Sequence, residues 1–234
     1  MSAGGLSLNG NFNIDIKKAK KHAFKVRLVE VFSDGLFTQA KWNMLFVLCC
    51  LPVVTFGCAV AALYNCTNLL VSDDRPQCRS GRLFLNSFKA AVKGFFLPSV
   101  MFGLSNTVFL SGFAFYLKLT SVNIMYVPLA SAGLIALAVI WAVAIHLLPE
   151  LFETDLETGE VTAVDIPLSQ LIKNAAEKAL INGKKTAVVL VLDFVLLAVQ
   201  LLLLPITVPV ILVIGMAIPA QLAAFAHTEP EIID

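Results

Sequence analysis

Long stretches of this chain carry no charge at all. No Asp, Glu, Lys or Arg occurs from Trp42 to Ser72, from Gly94 to Leu117, or from Leu119 to Pro149. A fourth run, from Thr186 to Thr228, holds only Asp193. A helix needs about 20 apolar residues to cross the hydrocarbon core of a bilayer. Each run therefore has the length of a membrane span, and the first and last exceed it.

Composition agrees. Hydrophobic residues make up 58% and charged residues 14% of the 234, against roughly 45–50% and about 25% in soluble domains. So few charges cannot cover a water-facing surface, and the apolar excess is expected to face lipid. The lipid bilayer is thus the first expected partner. A net charge of +1 argues against nucleic acid, whose partners carry a basic face that neutralises phosphates. The five cysteines form no CxxC pair and read as small buried apolar residues. No signal-peptide pattern is expected, because the first sufficiently long apolar run starts beyond residue 40.

The second and third runs each give one span. The fourth breaks at Pro205–Pro209, since proline removes a helix donor and biases its predecessor away from helix. It reads as two helices, about Thr186–Leu204 and Val208–Ala226. The first run is interrupted at Leu51–Gly57 and is either one kinked helix or a hairpin of about Leu36–Val53 and Phe56–Val71. Charge separates these options. With a hairpin, sixteen of the Lys and Arg residues share one membrane face and only Lys118 is opposite; a single span divides them eight to nine. The positive-inside rule favours the hairpin.

The expected fold class is therefore all-α: a polytopic membrane bundle of about six membrane helices, the first pair a Pro/Gly-broken hairpin, with interfacial amphipathic helices. Residues 1–35 form a basic cytoplasmic segment with an interfacial helix near Ile14–Phe32, where Phe24, Leu28, Val31 and Phe32 recur at helical spacing opposite lysines. Residues 36–227 form the bundle, with a solvated cytoplasmic loop at 150–185 that includes a helix over Ile166–Gly183. Residues 228–234 are a cytoplasmic tail. The expected location is the cell inner (plasma) membrane, multi-pass, with both termini cytoplasmic.

Asp193 is the most informative single residue. It lies about 12 Å beyond Lys185 at the helical rise, where an ionisable group is expensive and normally faces the bundle interior with a partner. His146, Asn65, Asn68 and Asn106 are the candidate partners. No catalytic motif is present: there is no HExxH and no Gly-rich phosphate loop, and His22, His146 and His227 fall in separate regions. The expectation is no enzyme, no catalytic or metal-ligating residues, and no cofactor.

The run from Asn43 through Pro52, Thr55 and Gly57, followed by Ala61-Ala62-Leu63-Tyr64, resembles the signature of the YesL-like family of bacterial membrane proteins. Ser87-Phe88-Lys89 and Leu171–Ala175 add weaker similarity. Members of that family commonly accompany carbohydrate ABC importers, so the resemblance implies an auxiliary integral membrane subunit that binds importer permease subunits and affects assembly, stability or gating. The alternative is a stand-alone small-solute transporter with Asp193 as coupling group. Physically, Pro52 ends one helix, Thr55 caps the next, and Gly57 allows close backbone packing. A break of this kind also supplies helix ends to a polar substrate in broken-helix transporters.

Overall fold

The computed structural model describes residues 37–72, 80–155, 157–202 and 215–228. The expected interfacial helix at Ile14–Phe32 and the Pro205–Pro209 break lie outside them. Among the described residues the fold is all-α with one small β-hairpin.

Helix α1 spans 37–49. Its buried residues Gln39, Trp42, Asn43 and Phe46 repeat at helical spacing, while Phe37, Met44 and Leu48 are exposed. A 3-10 turn at Val53–Thr55 leads into α2, Phe56–Ser72. Every residue of α2 from Gly57 to Thr67 is buried. A helix apolar on all sides belongs inside a bundle, and α2 packs against the helices over Gly81–Leu119 and Ala217–Thr228. Its small residues Gly57, Ala59, Ala61 and Ala62 permit that crowding.

Helix α3, Gly81–Leu119, begins on Ser80, whose side chain accepts from Arg82 N at 3.0 Å. The sequence suggested a span from Gly94. The helix instead starts 13 residues earlier and changes direction at Phe95 (φ −132°, ψ 25°), just before Pro98. Proline lacks the donor for the carbonyl four residues back and its ring crowds it, which bends the helix there. The first half is packed, through Leu83, Phe84, Ser87 and Ala91. The second half exposes Met101, Leu104, Val108, Phe115 and Leu117.

Asn123 Oδ1 accepts from Met125 N at 2.9 Å and starts the turn before α4, Val127–Leu147. Pro128 sits in its first turn, where the missing donor costs nothing. Among the described residues two helical stretches, Gly81–Leu119 and Ile124–Leu151, are long and apolar enough to cross a membrane. By contrast α2, at 17 residues, is short of the ~20 that a full crossing needs.

The stretch expected as a solvated loop keeps Glu153, Asp155, Glu157 and Glu160 exposed and adds a short hairpin. Strands β1 (Phe152–Thr154) and β2 (Val161–Ala163) pair antiparallel, with Glu153 opposite Thr162. Gly159 (φ 71°) lies in the connecting turn. The hairpin seats on the α3 bend. Phe152 meets Phe95 edge-on at 6.5 Å, Asn86 Nδ2 donates to Gly159 O at 2.9 Å, and a Cβ on Gly94 would come within 2.5 Å of Ala163. What sequence reading missed is that alternation over three-residue strands is too short to register. The helix expected over Ile166–Gly183 is present as α5, Leu168–Ile181, with Leu171 and Ala175 buried. Helix α6, Gly183–Leu202, and helix α7, Ala217–Thr228, complete the described elements.

Candidate functional site

The break between α1 and α2 is held by its own side chains. Thr55 Oγ1 lies 2.5 Å from the Cys49 carbonyl and 2.6 Å from the Pro52 carbonyl, so its one proton is shared between them. The carbonyls of a last helical turn have no intrahelical partner, and Thr55 supplies one. Thr55 thus closes the end of α1, where the sequence suggested that it caps α2. Leu51 and Val54 at the tip are exposed rather than packed against another helix. Gly57 does face one: a Cβ there would meet the Ser99 backbone, with its carbonyl carbon at 2.8 Å.

Asn43 is fully buried and accepts from Met216 N at 3.2 Å, at the start of α7. Beside it, Trp42 Nε1 donates to Ser80 O at 3.2 Å, on the cap of α3. Neighbouring residues of α1 therefore fix where two other helices begin.

Beneath the break lies a cavity of about 400 Å³. Cys50 and Phe56 of the break line it, as do Asn106 and Thr107 of α3, Trp141 of α4, Asp193 of α6 and Met216 beside α7. Both polar side chains that α3 places on this wall donate back to carbonyls of their own helix. Thr107 Oγ1 donates to Gly103 O at 3.0 Å and Asn106 Nδ2 to Phe102 O at 2.8 Å. Such back-bonding lets polar residues sit among apolar ones. Trp141 Nε1 donates to Asn106 Oδ1 at 2.7 Å, and its ring meets Phe102 edge-on at 5.6 Å. Tyr64 lies tilted against Trp141 at 6.5 Å, and its buried hydroxyl has no hydrogen-bond partner among the described residues.

Asp193 Oδ1 is likewise buried with no hydrogen-bond partner among the described residues. Of the four suggested partners, His146 and Asn65 are engaged elsewhere, Asn68 Oδ1 is itself buried without a partner among the described residues, and Asn106 lines the same cavity. His146 Nε2 is 3.0 Å from Thr186 Oγ1, and Asn65 Nδ2 is 3.0 Å from Ser87 Oγ. Thr186 and Asp193 share α6, but their separation in sequence is about 10 Å along the axis. His146 thus joins α4 to the start of α6 and does not reach the carboxylate.

Of the residues singled out by sequence, the structure brings the Pro52–Gly57 break, Tyr64 and Asp193 around one region and leaves His146 apart. Sequence reading missed Thr107 and Trp141. The adjacent polar pair Asn106-Thr107 in an apolar run is the signal that marks this wall.

Residues 40–119 match the family model described as "Protein of unknown function, DUF624". The match takes in the break, α2 and α3, while Trp141 and Asp193 lie beyond it. No curated protein and no solved structure matches the chain. The segment carrying the break and one wall of the cavity is thus similar to the DUF624 family.

Proposed function

We propose that this chain is a multi-pass membrane protein, with both ends on the cytoplasmic face, that binds and passes a small solute through the cavity beside the Pro52–Gly57 break. The observation that carries this reading is the meeting of the break and Asp193 on one cavity. Ligand pockets of about 300–1,000 Å³ are mostly apolar with a few placed polar groups. Buried ionisable residues in membrane segments mark solute or proton paths by default. The one-sided distribution of Lys and Arg and the exposed apolar side chains of α3 support the membrane placement.

The test is flux in proteoliposomes containing the purified full chain, by osmotic swelling in glycerol, glucose, maltose and ethanolamine. Faster flux than in empty vesicles for at least one solute, lost in Asp193→Asn, is the expected result. Empty-vesicle rates for all four solutes would sink the proposal.

A second reading is an auxiliary subunit of a carbohydrate ABC importer, as the YesL-like resemblance implies. What favours it is the exposed pair Leu180 and Ile181, each 82% exposed at the end of α5, beside Lys184 and Lys185. Purification in mild detergent tests it: permease subunits at stoichiometric yield, lost in Leu180→Ser/Ile181→Ser, support it, and a chain that purifies alone opposes it.

A further inference from the structure

We propose that the cavity beside Asp193 is a site for an organic cation, a primary ammonium group carried on a compact apolar body. The inference rests on the cavity reading above and names the ligand class. It follows from which hydrogen-bond groups remain available on the wall.

Among the described lining residues there is no Lys, Arg or His, and Asp193 is the one charged group. Its Oδ1 has no hydrogen-bond partner among the described residues. Thr107 has its hydroxyl proton committed to Gly103 O, so it presents lone pairs alone. Asn106 has Oδ1 accepting from Trp141 and Nδ2 donating to Phe102 O, which leaves one N–H and one lone pair. The wall is therefore rich in acceptors and poor in donors. Its complement is a group with several N–H donors and a positive charge, and an alkylammonium has both.

Electrostatics points the same way. An ionised carboxylate without a partner is costly away from water, and a bound cation removes that cost. Because its N–H is held by Asn106, the Trp141 ring keeps a fixed orientation against the cavity. The face of an indole attracts a cation within about 6 Å. The rest of the lining, including Phe56, Leu110, Leu190 and Phe194, is apolar. It suits an aromatic or branched alkyl body and offers too few polar groups for the hydroxyls of a sugar ring.

The test uses the purified full chain in detergent with three probes of one shape: benzylammonium, benzyl alcohol and benzoate. Binding is read by calorimetry and by Trp141 fluorescence in a Trp42→Phe background, since the chain has two tryptophans. Benzylammonium is expected to bind at least tenfold more tightly than benzyl alcohol, with benzoate weakest. Asp193→Asn should erase that preference, a loss of roughly tenfold to a hundredfold, and Asp193→Glu should restore part of it. Thr107→Val, which keeps the α3 backbone, should weaken the ammonium more than the alcohol. Equal binding of ammonium and alcohol overturns the cation assignment and leaves a solute cavity standing. No response to any probe overturns both. If Asp193→Asn does not fold, the ratio measured on the unaltered chain decides.

Discussion

The Asn43 side chain holds the backbone N–H of Met216 at 3.2 Å, across 173 residues of sequence. One buried amide on the first described helix thereby anchors the start of the last. In an apolar interior no water replaces a lost partner, so the contact matters more through its absence than its presence. Asn43→Ala is expected to lower stability by about 1–3 kcal/mol, the penalty for a buried unsatisfied donor. Thermal unfolding in detergent checks this, with Met44→Ala, on the exposed face, as the control that should change little.

Gly57 sets the distance between α2 and α3. Because a Cβ would meet the Ser99 backbone, Gly57→Ala must push two helices apart. The expected cost is about 1–3 kcal/mol, typical of overpacking. A Cβ on Gly112 meets nothing within 4 Å among the described residues, and Gly112→Ala is expected to leave the melting temperature unchanged or slightly raised. Equal behaviour of the two variants would remove the close-approach argument.

Thr55 is expected to tolerate Ser and not Val. Ser keeps a hydroxyl for the Cys49 and Pro52 carbonyls, whereas Val leaves them without it at a cost of about 1 kcal/mol. The cavity beside the break should loosen with it. Faster alkylation of Cys50 in Thr55→Val than in Thr55→Ser is the readout.

The hairpin turn titrates at acid pH. The Glu157 N–H, and after it the Thr158 hydroxyl, hold the Asp155 carboxyl below its ordinary value of 3.8. A group held lower in the folded turn binds fewer protons there than in the opened one. Its contribution is complete above the ordinary value and disappears as pH falls through the lowered one. Amide exchange at Gly159, corrected for intrinsic rate, should accelerate only in that acid window. Asp155→Asn should abolish the step.

The all-α fold and its two long apolar helices are legible in sequence because they rest on length and charge, which act residue by residue. The break at Pro52–Gly57 and the placement of α5 follow from backbone chemistry that is local. The hairpin on the α3 bend does not, because it depends on Gly94 meeting Ala163 across 69 residues. The site divides in the same way. Asp193 stands out as the one charge in its run, but the partner assigned to it depends on depth. His146 is spent on Thr186, while Asn106, Thr107 and Trp141 form the facing wall through contacts between helices that no spacing encodes.

The central claim is that the cavity under the break admits a polar solute, and side-chain accessibility in a bilayer tests it most directly. With the five native cysteines replaced by serine, Thr107→Cys and Val108→Cys place thiols on adjacent positions of α3. Thr107 lines the cavity, whereas Val108 is 64% exposed on the outer surface. A small water-soluble thiol reagent is expected to label Thr107→Cys and leave Val108→Cys unlabelled. Labelling of Val108→Cys alone, or of neither, would contradict it.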